Sequence, residues 1–233
     1  MKPIPLYLFL SLFITNLWSG SPSYRLKSAT ELVNSDIIGS VQSNKENIEY
    51  LEFLEYKLHP IIDCLTSLDP KYEYNADLFL READNINQND LTLKQNSTVR
   101  VYFIGETAGY KNTLGIGING ETGLVFPDAS SDQNNNGEAL FPGDFVELGS
   151  LKEGTLLDFF LIPDGARLLS GGLKNFVYWS NPESNPDGTN HIKILRLLDM
   201  DLLIICLEDK LGGGDSDYND LVFAVEIKPD IVP

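Results

Sequence analysis

Acidic side chains crowd into one short stretch of this 233-residue chain: Glu-Asp-Lys-Leu-Gly-Gly-Gly-Asp-Ser-Asp-Tyr-Asn-Asp at positions 208–220. Asp215, Asp217 and Asn219 stand at alternate positions and Asp220 follows directly. Glu208 and Asp209 precede the three glycines at 212–214. A hard cation such as Ca²⁺ takes about six to eight oxygen ligands, chiefly carboxylates, amide carbonyls and the backbone carbonyls of a tight loop. Glycines that can adopt positive φ let a short loop curl, and the D-x-D-x-N spacing then brings oxygens toward one point. Without a cation the same carboxylates repel one another. The competing reading is a solvated hairpin turn whose Asp and Asn side chains bond their own backbone. An EF-hand does not fit: Asp220 stands where that loop needs glycine, and Glu226, at the twelfth position, falls inside the strand expected next.

Other residues could do chemistry. Asp132, Asn134 and Asn136, followed by Gly137, match the first half of a calcium-loop pattern, but Gly143 occupies the place of the closing glutamate. They form a secondary metal candidate, or else a polar Asn-rich loop. His191 can ligate a metal, act as a base or hold a turn by hydrogen bonds. Tyr178 and Trp179 form either an aromatic platform for a sugar or part of a core. Glu106, Glu208 and Asp209 would have to face each other across a sugar to cleave a glycosidic bond. The sequence has no nucleophile elbow, HExxH, P-loop or zinc-type Cys/His spacing.

The elements that must position these groups are read from hydrophobic period. Residues 98–104 alternate, with Val99, Val101 and Phe103 on one side and Arg100 and Tyr102 on the other, the period of a strand. Similar short runs occur at 114–118, 145–148, 156–162, 175–179, 191–198, 202–208 and 221–227, most of them separated by Gly, Pro, Asn and Asp. Such a series predicts a mainly β fold, an antiparallel β-sandwich of jelly-roll-like type. Ahead of it, Ile48, Leu51, Leu54, Leu58, Ile61 and Leu65 recur at helical spacing within 28–67, and Pro60 interrupts them. The expected organisation is a leader at 1–23, a helical and irregular region at 24–95, and a β-sandwich at 96–233.

Thirty-four acidic against 17 basic residues give a net charge of −17, which disfavours nucleic-acid backbones and anionic membranes. Lys2 precedes a nearly unbroken apolar run at 4–18, and Ser19, Gly20, Ser21 and Ser23 follow. That is the build of a secretory signal peptide, with cleavage after Ser23. The run is short for a membrane anchor, which needs roughly 20 residues, and nothing later in the chain is long and apolar enough to span. Cys64 and Cys206 could pair in an oxidising compartment or remain buried thiols.

Three stretches carry a family resemblance. They are Gly-Glu-Thr-Ala-Gly-Tyr-Lys-Asn-Thr-Leu-Gly at 105–115, Ser-Asn-Pro-Asp-Gly at 184–188 with His191, and Leu-Glu-Asp-x-x-Gly-Gly-Gly-Asp-x-Asp-Tyr-Asn-Asp-Leu-Val-Phe at 207–223. Over about 96–227 the chain resembles bacterial domain-of-unknown-function family 4114. The resemblance implies a β-rich domain of secreted or surface-anchored proteins with no established activity. It marks Glu106, Tyr110, Asn112, His191, Glu208, Asp209, Asp215, Asp217, Asn219 and Asp220 as the matching positions, with an enzymatic or metal-binding role for the acids. The combined expectation is a secreted, periplasmic or cell-surface module. It binds calcium through Asp215, Asp217, Asn219, Asp220, Glu208, Asp209 and Glu106, and meets an extracellular glycan or surface protein. A carbohydrate-binding module and, after it, a glycan hydrolase are the alternatives.

Overall fold

The computed structural model describes residues 22–43, 52–53, 84–85, 91–130, 139–168, 176–196 and 202–230. Its strands are β1 (Asp84–Asn85), β2 (Ser97–Gly105), β3 (Thr113–Ile118), β4 (Glu121–Phe126) and β5 (Phe145–Leu151). They continue with β6 (Asp158–Ile162), β7 (Tyr178–Trp179), β8 (Ile192–Arg196), β9 (Leu202–Leu207) and β10 (Leu221–Pro229). Among the described residues the single-turn α-helices α1 (Ala29–Leu32) and α2 (Gly165–Leu168) and the 3-10 turns at Ser23–Leu26 and Pro182–Ser184 accompany them. Each of the eight runs expected to be strands overlaps one, and β4 is not among them. Of the region expected to be helical over 28–67, residues 28–43 are described and hold only the single turn α1, followed by β-bridges at Ile37 and Gln42. Apart from 52–53 its remainder, the leader up to residue 21, Cys64, and the Asp132, Asn134 and Asn136 loop lie outside the described residues.

The strands form two antiparallel sheets, one in the order β1-β8-β9-β10-β2-β5 and the other β4-β3-β6-β7. One apolar core lies between them. Val99, Val101 and Phe103 of β2, Leu203, Ile205 and Leu207 of β9, and Phe223 and Val225 of β10 meet Leu114, Ile116, Phe159 and Leu161 of the smaller sheet. The Phe159 and Phe223 rings touch across the gap, their centroids 5.0 Å apart. The alternation read along β2 is therefore the alternation between core and outer face, and the architecture is a sandwich.

The outer face of the smaller sheet is buried as well. Tyr24, Ala29 and Leu32 from the N-terminal segment pack on Leu124, Phe160, Ile162 and Trp179. The segment is held in shape by a capping box: Ser28 Oγ accepts from the Glu31 N–H (3.3 Å) and Glu31 Oε2 accepts from the Ser28 N–H (2.7 Å). Gly117 makes the approach possible, since a Cβ there would lie 2.5 Å from the Tyr24 ring. Asp158, fully buried on β6, anchors the arrangement. It accepts from Tyr24 Oη (2.9 Å), Arg25 Nε (2.7 Å) and Ser180 Oγ (2.9 Å). Bridges from Ile37 to Leu124 and from Gln42 to Phe145 carry the segment on to both sheets. None of the described helices is long and apolar enough to cross a membrane.

Candidate metal centre

The acidic stretch is the connection between β9 and β10. These strands pair antiparallel with Leu207 opposite Leu221, so Glu208 and Asp220 leave the sheet side by side. The loop then turns on Gly212, Gly213 and Gly214 at φ of +80°, +83° and +47°. Ser216 and Tyr218 also have positive φ, 62° and 58°, a conformation with a steric cost for side chains bearing a Cβ. Alternating backbone of this kind returns Asp215 and Asp217 toward the strand ends. Ser216 Oγ donates to the Gly213 carbonyl (2.8 Å), and both Asp217 oxygens accept from Asn219, from its N–H at 3.2 Å and its side-chain Nδ2 at 2.7 Å.

Two sets of carboxylates converge there. One ligand oxygen each from Glu208, Asp215 and Asp217 lie within 4.8 Å of one another, and so do oxygens from Glu208, Asp209 and Asp220. Ligands on opposite sides of an ion with metal–oxygen distances of about 2.3–2.6 Å span that much, so either set can hold one. Asp215 and Asp217 are exposed, whereas Glu208, Asp209 and Asp220 are 0%, 3% and 7% exposed. Asp209 accepts from Asn112 Nδ2 (2.8 Å), and Asp220 accepts from the Asp209 N–H (2.9 Å). Glu208 stands apart: both carboxylate oxygens are buried and neither has a hydrogen-bond partner. Gly214 presses directly over it, because a Cβ at that position would lie 2.0 Å from Oε1.

Burial, then the approach of the Asp220 carboxylate, with which a protonated Glu208 can share its proton, and the charges of Asp220, Asp215 and Asp217 push the Glu208 carboxyl up to about 8. Burial likewise raises Asp209 to about 6, against the Asn112 hydrogen bond, and also raises Asp217. The exposed Lys210 ammonium feels the same field and is held above its ordinary value, chiefly by Asp215. A buried carboxylate with no donor, surrounded by others, is costly unless a proton or a cation joins it.

The remaining expected residues take different places. Asn219 faces Thr107, whose hydroxyl donates to its side-chain oxygen and to its carbonyl. Glu106 follows β2 at the same end of the sandwich, but neither carboxylate set includes it. His191 is fully buried, with Nδ1 2.9 Å from the Glu208 carbonyl and Nε2 2.9 Å from Asp187 Oδ2, so both nitrogens are committed to the frame. Tyr178 stacks on His191 with centroids 3.5 Å apart, and Trp179 packs on Phe160 and Tyr24. Both rings are buried, 0% and 1% exposed, which leaves no open face for a sugar. Cys206 is a free, buried thiol on β9, its pKa pushed up by that burial to about 12.

Asp187 is the site residue that sequence reading missed. Its Oδ2 accepts from the Gly212 N–H (2.7 Å) and meets His191, while Oδ1 accepts from the Thr189 N–H (3.1 Å). Burial opposes these bonds, yet together they hold its carboxyl well below the usual range. It ties the glycine loop to the lead-in of β8. The only local signal was an Asp-Gly turn four residues before His191.

No curated protein and no solved structure matches the chain. The family match that exists begins at Leu151, which leaves the stretch at 105–115, with Glu106 and Asn112, outside it. Residues 151–228, the segment that carries Asp187, His191 and every carboxylate of the two sets, match the model of the domain of unknown function DUF4114.

Proposed function

We propose that the chain is an exported β-sandwich module that binds calcium at the β9–β10 loop, with a structural, adhesive or ligand-binding role toward an extracellular glycan or surface protein. The observation that carries this reading is Glu208, a fully buried carboxylate with two partnerless oxygens inside a group of four more acids. Water could satisfy its hydrogen bonding but would leave the mutual repulsion in place. A divalent cation relieves both. Among the described residues the donor set is all oxygen, since both His191 nitrogens are engaged and Cys206 lies within β9, which suits a hard cation. Extracellular modules of this kind bind calcium at roughly 10⁻⁴ to 10⁻³ M. The leader-like sequence before Tyr24 supports export.

The hydrolase alternative draws on the same raised carboxyls. Its acid and base would have to reach a sugar, and the cluster's inner members are at most 7% exposed. That burial favours an ion over a polymer. The test is a thermal melt in chelator, in millimolar Ca²⁺ and in millimolar Mg²⁺. Binding predicts a rise of a few degrees with calcium and little with magnesium, corresponding to about 1.4 kcal/mol at a tenfold excess over Kd. Superimposable melts in all three would overturn the proposal.

A further inference from the structure

We infer that the loop holds two calcium ions rather than one, with Glu208 as the carboxylate that bridges them. The inference rests on the calcium reading and deepens it. The five acids fall into two groups of mutually close oxygens that share one member. They form two triads, Glu208 with Asp215 and Asp217, and Glu208 with Asp209 and Asp220, and Glu208 is the member common to both. It has two oxygens, both buried and both without a partner, enough to offer one to each of two ions.

Charge points the same way. Once they ligate a cation and give up their protons, the five carboxylates carry five negative charges. One divalent ion would leave a net of three, whereas two leave one, which the neighbouring Lys210 can offset at the surface. The bridging carboxylate lies between the two cations and reduces their repulsion. The triads also differ in kind. The inner one is buried and its acids are fixed by Asn112 Nδ2 and the Asp209 N–H. The outer one is exposed, and Asp217 is held by Asn219 from within the loop. Water can complete the outer coordination. The inner ion depends on the folded end of the sandwich. Filling the inner triad first would place an ion beside Glu208 and draw the glycine loop, which already touches it at Gly214, into position for the second.

Equilibrium dialysis against CaCl₂, with bound calcium counted per chain, decides the matter. Two ions per wild-type chain is the expected result. One ion would overturn the bridge while leaving the calcium reading intact, and none would overturn both. The double variant Asp215→Asn with Asp217→Asn changes only exposed side chains and should fold as wild type, which circular dichroism checks. It should keep one ion. If it keeps two, or loses all binding, the assignment of the triads is wrong.

Discussion

Among the described residues two carboxylates, Asp158 and Glu208, are fully buried, and their surroundings are opposite. Asp158, on the smaller sheet, accepts from a tyrosine, an arginine and a serine, so its charge is paired and its lone pairs are used. Glu208, at the end of β9, has no donor at either oxygen and four acids for neighbours. Burial is the same and the sequence cost is similar, yet the first site is complete within the polypeptide and the second is not. The comparison separates carboxylates that hold a fold together from carboxylates arranged for something the chain does not itself supply. It also explains where backbone irregularity falls. The loop beside Glu208 carries Ser216 and Tyr218 at positive φ, whereas Asp158 lies in regular strand.

The largest effect is expected at the complete site. Asp158→Ala strands the Arg25 guanidinium, whose side chain is 5% exposed, together with the Tyr24 hydroxyl. Removing one partner of a buried pair costs about 3–5 kcal/mol. Denaturant unfolding should show that loss equally in chelator and in calcium. A loss that calcium repairs would mean the two sites are coupled and the contrast is false.

A smaller effect, of the opposite sense, is expected from pH. In the metal-free fold Glu208 and Asp209 keep protons that the unfolded chain has released. The folded state therefore binds more protons, and stability falls as pH rises, between 4.5 and about 8 for Glu208 and between 3.8 and about 6 for Asp209. In chelator the Tm should drop by a few degrees from pH 5 to pH 8. Calcium should remove most of that slope, since it binds the deprotonated form. Glu208→Gln should flatten the metal-free profile above about pH 6, because it deletes the group that titrates there. A chelator profile that rises over this window would show that Glu208 is ionised without penalty.

Much of the fold is legible in the sequence where one strand face is apolar and the other mixed. The run around Val99, Val101 and Phe103 is the clearest case. β4 is not legible that way, because Leu124 faces the N-terminal segment while Val125 and Phe126 belong to the inter-sheet core. Burial on both faces erases alternation. For the same reason Tyr178 and Trp179 offered themselves as a platform. Only the packing of Tyr24 and Leu32 over the smaller sheet, a contact more than 100 residues distant, hides the second ring. The carboxylates of the loop were identifiable from their types and spacing. That Glu208 lacks every partner was not, since it depends on where Gly214, Asp220 and Asn112 arrive in space. Asp187 was hidden by the same dependence: its contact with Gly212 joins two loops that the sequence keeps 25 residues apart.

The central claim is that Glu208 awaits a cation, and a calorimetric titration of Ca²⁺ into wild type and Glu208→Gln, each freed of metal by chelation, tests it most directly. The account predicts a saturable isotherm for wild type and its loss in a variant that remains folded and is at least as stable in chelator. No binding by wild type, or the same isotherm from both proteins, would contradict it.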